Sequence, residues 1–501
     1  MVDTTLEPAL EWRSPLWAIV GMMLSMATGH CAPAASSPGP SEVSSAAREP
    51  AALPASTAEP PGPIRHVIVV TIDGLMPEAY RQPDAHGLKI PTLRRLVAEG
   101  ASSSGALSVF PSVTYPSHTS MASGVSPARH GIVSNRDVDP LQENPDGWRR
   151  FAEDVAVPRV WDVASAAGYR TALIEWPVTV GAKATFIVPD ARSRTPNDLK
   201  LMRALATPGL FPAVAAAYPN FDARFRPGDI SDEGGTDIAV HVLATGKPHL
   251  TFLHIFDVDG AQHEHGIWSD EARAAIENAD RQIGRLLEAA ERAGIAGATA
   301  LVVASDHGFA PVTRSVNPNA LLVKAGLIER DGQGRVRDWR AIVHPNGGSA
   351  YVYTRPPGDA QLEAAVLKVL EDDQRAARRG IGRIIRREEI AAIGGDPQAF
   401  LALDAELGAF FGGDLEQYET VPTLRGMHGY DPARPEMKAS LILFGPTIAH
   451  GELASARLID IAPTVAGWLG LELSGVDGKP LEIVAGAPAA APPPAASGHT
   501  P

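Results

Sequence analysis

From Val67 to Ile72 every residue is β-branched, and the run stops at Asp73-Gly74. Branching at Cβ favours extended backbone. A run without polar alternation reads as a strand covered on both faces, the mark of a mostly parallel sheet flanked by helices. His66–Ile72 is therefore expected to be the first strand, and the chain keeps the alternation afterwards. Thr92–Glu99, between Pro91 and Gly100, starts as a helix. Val160–Ala167 reads as a helix closed by Gly168, and Arg170–Glu175 as the next strand. His249–Phe256 is another strand. Glu271–Ala293 spaces Ile276, Ile283 and Leu286/Leu287 along one face before Gly294, so it is a long amphipathic helix. Ala298–Ala304 and Ala439–Phe444 are strands, and Ile459–Leu469 opens a last helix. Stretches 190–240 and 310–425 break the pattern; the second contains the strand Ala350–Thr354. Ligands in such sheets sit beyond the C-terminal strand ends, and these insertions are expected to build a cap there.

The 501 residues suffice for one large α/β domain with insertions, and 45% hydrophobic content supports a real core. Lys+Arg 44 against Asp+Glu 58 leaves −14, which argues against a nucleic-acid-binding surface. An anionic substrate would be repelled by that charge, so a site for one needs its own positive charge, which bound metal supplies. The arginine-rich run Arg375 to Arg387 is interleaved with Asp372, Asp373, Glu388 and Glu389, and reads as a solvated helix face.

The single cysteine, Cys31, excludes an internal disulfide framework and a Cys-based zinc site. It follows Arg13 and the apolar run Leu16 to Ala27, which fits a signal-peptide core better than a membrane span. Ala32-Pro-Ala34 suits cleavage and release; lipidation of Cys31 would instead tether the protein to a membrane. Residues 1–34 are thus expected to be a signal peptide or lipoprotein signal, and the protein exported: periplasmic, secreted or lipid-anchored. Residues 35–63 read as a disordered Pro/Ala/Ser linker, 64–485 as the folded domain, and 486–501 as a disordered Ala/Pro tail.

Carboxylates and imidazoles gather where these strands end. Asp73 follows the first strand, a position that suits a metal ligand or a helix N-cap. Thr114 lies in a loop bracketed by Pro111 and Pro116; its hydroxyl is a nucleophile only if a base or metal lowers its pKa. Asp259 and His263 are four apart, which on a helical turn puts them on one face, with Asp257 and His265 as rival ligands. Asp306-His307 follows an apolar strand, where charge is costly unless paired or metal-bound. His428 stands in Gly426-Met-His-Gly429 with room to turn into a site, although a lone His is more often just a turn residue. Three Asp, three His and one Thr are hard or borderline N/O donors, enough for two zinc sites with open positions for a substrate oxygen.

With these residues in this order, the chain resembles the alkaline phosphatase superfamily, and within it the nucleotide pyrophosphatase/phosphodiesterase family. The resemblance runs from Val67 to about Leu471. It is carried by Asp73-Gly74, Phe110-Pro-Ser-Val-Thr114-Tyr-Pro-Ser-His118, Thr119–Gly124, Pro127, His130-Gly-Ile-Val-Ser-Asn135, Asp259…His263…Gly266, Ser305-Asp-His-Gly308, Gly426-Met-His-Gly-Tyr430 and Asp460-Ile-Ala-Pro-Thr464. It implies an alkaline-phosphatase-like α/β core and a catalytic domain with cap insertions. It also implies two Zn²⁺, one held by Asp73, Thr114, Asp306 and His307 and the other by Asp259, His263 and His428. Thr114 would be the nucleophile, forming a phospho-threonine intermediate that is then hydrolysed, and Asn135 would donate to a phosphoryl oxygen. One departure is Gln262, where the family's phosphodiesterases often have Gly directly before the His.

The implied activity is hydrolysis of phosphodiester or phosphoanhydride bonds in a small molecule such as a nucleotide. Monoesterases of the superfamily place an Arg after a Ser nucleophile or a Lys-x-Arg pair over the phosphate. Here Tyr115 follows Thr114, and the stretch from Trp176 to Lys183 has no such pair, so a diester is expected, with Trp176 or Tyr115 lining an apolar pocket. A phosphomonoesterase or phosphonate hydrolase on the same metal core is the alternative. The alternative from another class is a catalytically inactive exported metal-binding surface protein, against which the retained nucleophile, Asn135 and full ligand set argue. The oligomeric state is not encoded in any motif.

Overall fold

The computed structural model describes residues 58–485, apart from 145, 192–197, 227–228 and 377–379. The expected signal, most of the linker and the C-terminal tail lie outside the described residues. Residues 58–63, read as the end of the linker, already lie against the domain. Pro60 is buried and Glu59 lies 3.4 Å from His249.

A nine-stranded sheet organises the chain. In spatial order it runs Ile483–Ala485, Gly451–Leu453, Ala101–Ser102, Leu441–Phe444, Thr299–Ala304, His66–Ile72, Leu250–Ile255, Thr171–Ile174 and Phe186–Val188. The five strands from Thr299–Ala304 to Phe186–Val188 are mutually parallel. Leu441–Phe444 pairs antiparallel on both sides. His66–Ile72 is central and wholly buried. Ile68, Val70 and Ile72 enter one core, while Val67 and Val69 enter another on the opposite face. That period of two explains why an uninterrupted apolar run is required. Helices Pro91–Glu99, Asp232–Gly246 and Asp270–Arg292 cover the first face; Val160–Ala166 and Ile461–Trp468 cover the second.

The irregular stretches are not alike. Within 190–240, helix Leu210–Ala217 and Phe221 insert apolar side chains into the main core. Within 310–425 lies a second, four-stranded antiparallel sheet of Ala341–Asn346, Ser349–Thr354, Leu401–Ala405 and Ile381–Arg386. Helix Ala360–Arg375 packs on it around a separate apolar core. The arginine-rich run is therefore no single helix face. It spans that helix's end, a strand and helix Arg387–Ala392. Its described arginines are ion-paired: Arg375 with Glu371 and Asp372, Arg383 with Glu389, Arg386 with Glu371, and Arg387 with Glu363. No helix among the described residues is long and apolar enough to cross a membrane.

Candidate active site

Three adjacent parallel strands release their chains at one sheet edge. His66–Ile72 delivers Asp73, Leu250–Ile255 leads into helix Asp257–His265, and Thr299–Ala304 delivers Asp306 and His307. Asp73 is anchored through its N–H, which donates to Ile255 O at 2.8 Å. Gly74 has φ +68°, and a Cβ there would lie 2.9 Å from the Phe309 ring, so the turn after Asp73 requires glycine. Its N–H donates to Asp306 Oδ1 at 3.1 Å, joining the two strand ends.

The side chains of Asp73, Asp306 and His307 converge. His307 Nε2 lies 3.2 Å from Asp73 Oδ1 and 3.1 Å from Asp306 Oδ2. Alongside, Asp259 Oδ1 lies 3.3 Å from His263 Nε2 and 3.6 Å from His428 Nε2. The rings of His307 and His428 stack with centroids 3.6 Å apart. In each of these three histidines Nδ1 faces a backbone carbonyl: Gly308 O for His307, Gly426 O for His263 and Ser112 O for His428. Donation there puts the proton on Nδ1 and turns the Nε2 lone pair toward the carboxylates, as metal-binding imidazoles require.

Two donor groups are tight enough to hold a cation: Asp73, Asp306 and His307, and Asp259, His307 and His428, with atoms within 4.8 Å of one another in each. Asp306 Oδ2, His307 Nε2 and Asp259 Oδ1 are buried and have no hydrogen-bond partner, as expected of donor atoms built for a metal. The grouping differs from the division implied by resemblance. His307 stands between the two groups, while His263 joins the second only through Asp259. The expected helical turn at Asp259–His263 is present. Asp257 belongs to neither group, and His265 turns to Glu264 at the surface.

The electrostatics carry the strain of this crowding. Burial, then repulsion from Asp73, pushes Asp306 up to about 7. Burial works against a charged His307, but Asp306 and Asp73 outweigh it and raise it to about 9. His428 is held well below the usual histidine range by burial and by His307. For Asp259 burial opposes the charge, yet His263 and His428 keep the carboxyl below its ordinary value.

Thr114 and Asn135 share a cavity of about 240 Å³ with Asp73, Asp259, His263 and His428. Thr114 is not in a loop. It is the first residue of helix Thr114–Ser123, with Pro116 in the first turn, where a missing N–H breaks no intrahelical bond. Asn135 Oδ1 accepts the Tyr115 N–H at 2.8 Å, which orients the side-chain amide so that its NH₂ end is its donor edge.

Several residues here had no role assigned from sequence. His118 lies behind Thr114, with Nδ1 on Thr114 O at 2.8 Å and Nε2 on Thr71 Oγ1 at 2.9 Å. His254 Nε2 lies 3.2 Å from Asp73 Oδ2. Gln262 is fully buried and donates to Gly74 O at 3.0 Å, tying the Asp259–His263 helix to the Asp73 turn. Its amide spans a gap that glycine would leave open. Gln262→Ala is expected to destabilise the fold by about 1–3 kcal/mol by orphaning that carbonyl, measured by denaturant unfolding; an unchanged midpoint would refute it. Trp176, expected as a pocket wall, is fully buried against His118 and Phe252. The wall is instead Tyr115 with Trp148, ring centroids 5.1 Å apart, together with Arg150, Asp146 and Asp190.

Comparison with known proteins agrees with this architecture. An uncharacterized pyrophosphatase/phosphodiesterase of Schizosaccharomyces pombe is 25% identical over 259 residues, 49% of this chain and 45% of that protein. Human ectonucleotide pyrophosphatase/phosphodiesterase family member 1 is 22% identical over 262 residues, 48% of this chain and 23% of its own length. The chain thus spans less than half the length of these curated relatives. Murine ectonucleotide pyrophosphatase/phosphodiesterase 5, solved as an inactive form in complex with AMP, superposes with TM-score 0.59 at 18% identity, covering 83% of this chain and 97% of that one. The description Type I phosphodiesterase / nucleotide pyrophosphatase matches residues 67–431, which include every strand end and donor group described above. The chain therefore belongs to the type I phosphodiesterase/nucleotide pyrophosphatase family.

Proposed function

We propose that the protein is a metal-dependent phosphodiesterase/nucleotide pyrophosphatase, with Thr114 as nucleophile and two Zn²⁺ as cofactors. The observation that carries this reading is one cavity lined by a helix-starting threonine, an oriented asparagine amide and members of both Asp/His donor groups, Asp73 of the first and Asp259 and His428 of the second. The donors are all nitrogen and oxygen, which suits zinc. Asp73, Asp306 and His307 would hold one ion, and Asp259, His263 and His428 the other, with Thr114 facing the first. Bound zinc supplies Lewis acidity, lowering the pKa of an attacking hydroxyl and balancing charge on the entering and leaving oxygens.

Thr114 Oγ displaces the leaving oxygen from phosphorus, giving a phospho-threonine ester; water then displaces Thr114. Helix Thr114–Ser123 fixes the position of that oxygen, and His118 buttresses the helix start from behind. The Asn135 NH₂ donates to a non-bridging phosphoryl oxygen, where charge builds in the transition state. Export of the protein accompanies this reading; one curated relative is a venom phosphodiesterase of Crotalus adamanteus.

Among the described residues lining the cavity, Arg150 is the arginine or lysine present, and it is paired with Asp146. Its charge is placed against Asp146, Tyr115 and Asp190 on the wall, so the third free oxygen of a monoester held at the donor groups lacks a cationic partner, an interaction worth about 1.5–3 kcal/mol. A para-nitrophenyl phosphodiester is expected to show a higher kcat/KM than para-nitrophenyl phosphate on one preparation. A clear monoester preference moves the protein to the phosphatase branch.

A further inference from the structure

Resting on the phosphodiesterase reading, we propose that Arg150 determines specificity by binding an anionic oxygen on the substrate's second substituent, releasing Asp146 as it does so. Arg150 lines the cavity with Thr114 and Asn135. Its Nη1 and Nη2 both donate to the Asp146 carboxylate, at 2.5 and 3.3 Å, while its Nε is buried without a hydrogen-bond partner. The two partners are unequal. The Arg150 side chain is 15% exposed and that of Asp146 52%. A released Asp146 would be solvated, whereas Arg150 would stay desolvated and charged. A substrate anion that takes the place of the Asp146 carboxylate keeps the desolvated guanidinium paired and can add the unused Nε–H to a forked contact.

The backbone of Arg150 need not move for this. Its N–H donates to Trp148 O and its carbonyl accepts from Val180 N–H, both at 3.0 Å. Only the guanidinium turns. The flanking wall supplies flat apolar contact from Tyr115 and Trp148, with Tyr115 OH donating to Asp190 at 3.0 Å. Asp146, Asp190 and the metal-ligand carboxylates otherwise make this mouth acidic, in a chain of net charge −14. Arg150 is what admits a negatively charged substituent there.

The test uses zinc-loaded protein and three matched para-nitrophenyl phosphodiesters, whose second substituent is ethyl, carboxyethyl or phosphoethyl. The wild type is expected to favour at least one anionic ester over the ethyl ester, and the two anionic arms separate carboxylate from phosphate as the group read. In R150Q the anionic-to-ethyl ratio of kcat/KM should fall roughly ten- to hundredfold, the scale of a lost charge-assisted contact. In D146N, a change at a half-exposed surface residue, the ratio should rise because the competing carboxylate is gone. A ratio unmoved in R150Q, or lowered in D146N, overturns the inference, as does an R150Q loss confined to para-nitrophenyl phosphate. Hydrolysis of the ethyl ester stands apart: if no diester is cleaved by the wild type, the phosphodiesterase reading itself fails.

Discussion

Thr114→Ala is expected to lower the hydrolysis of a nitrophenyl phosphodiester by several orders of magnitude while leaving the unfolding midpoint nearly unchanged. Thr114 is the first residue of its helix, and no side-chain cap bond is made at that end, so alanine costs the helix little. The hydroxyl is the proposed nucleophile, and no other hydroxyl-bearing side chain among the described residues lines the cavity except Tyr115, whose OH is committed to Asp190. Thr114→Ser should keep substantial activity, because the serine oxygen occupies the same position. Near-wild-type turnover in the alanine variant would mean that water attacks phosphorus directly, and the covalent route would be abandoned.

Removal of metal should abolish activity and reverse the pH dependence of stability near the site. Without a cation, Asp306 titrates near 7 and His307 near 9, both above their ordinary values. Each then binds its proton more tightly in the folded state. Their contribution is complete below about pH 4 and pH 6.5 respectively, and is lost as pH rises through about 7 and then 9. Between about pH 6.5 and 9, where the lowered groups His428 and Asp259 no longer exchange protons, metal-free protein should therefore lose on the order of a few kcal/mol. Metal competes with those same protons, so loaded protein gains from the deprotonation that weakens the free form. The gap in Tm between loaded and chelated samples should widen with pH, and metal analysis should return two equivalents of zinc. A gap that narrows as pH rises, or active protein with less than one equivalent, would contradict the assignment.

The parts of this site that were legible in sequence are those fixed by strand ends and helical period. Asp73 and Asp306-His307 each close an apolar run, and parallel neighbours bring such ends to one edge. Asp259 and His263 are four apart and the helix puts both on one side. The helix at Thr114 was hidden by Pro116, because proline marks a turn as readily as a first helical turn. The aromatic and charged wall was hidden too. Trp148 and Arg150 sit in a turn-rich stretch without periodicity, and only the fold carries that stretch to the cavity. His254 lies near the end of an apolar strand, where one imidazole gives no sign of facing the carboxylate at the end of the neighbouring strand. The sharing of His307 between donor groups is a matter of angstroms, which spacing along a chain does not encode.

His428 reaches the site from far along the chain, and that distance has a consequence for assembly. Its Nδ1 bonds Ser112 O across 316 residues, and Ser112 Oγ donates to Tyr430 O across 318. Gly429, at φ +89°, lies so close to Asn346 O that a Cβ would sit 1.9 Å from it, locking the loop to the second sheet. Contacts of such separation form late, after loop-closure entropy has been met by the rest of the fold. A chain growing from its N-terminus therefore holds its first carboxylates in place long before the last imidazole exists. The second donor group is complete only once the chain has been made through His428, with Tyr430 anchored on Ser112. On the proposed reading, loading of the second donor group would therefore follow synthesis of the chain through His428, while the first group needs nothing beyond His307.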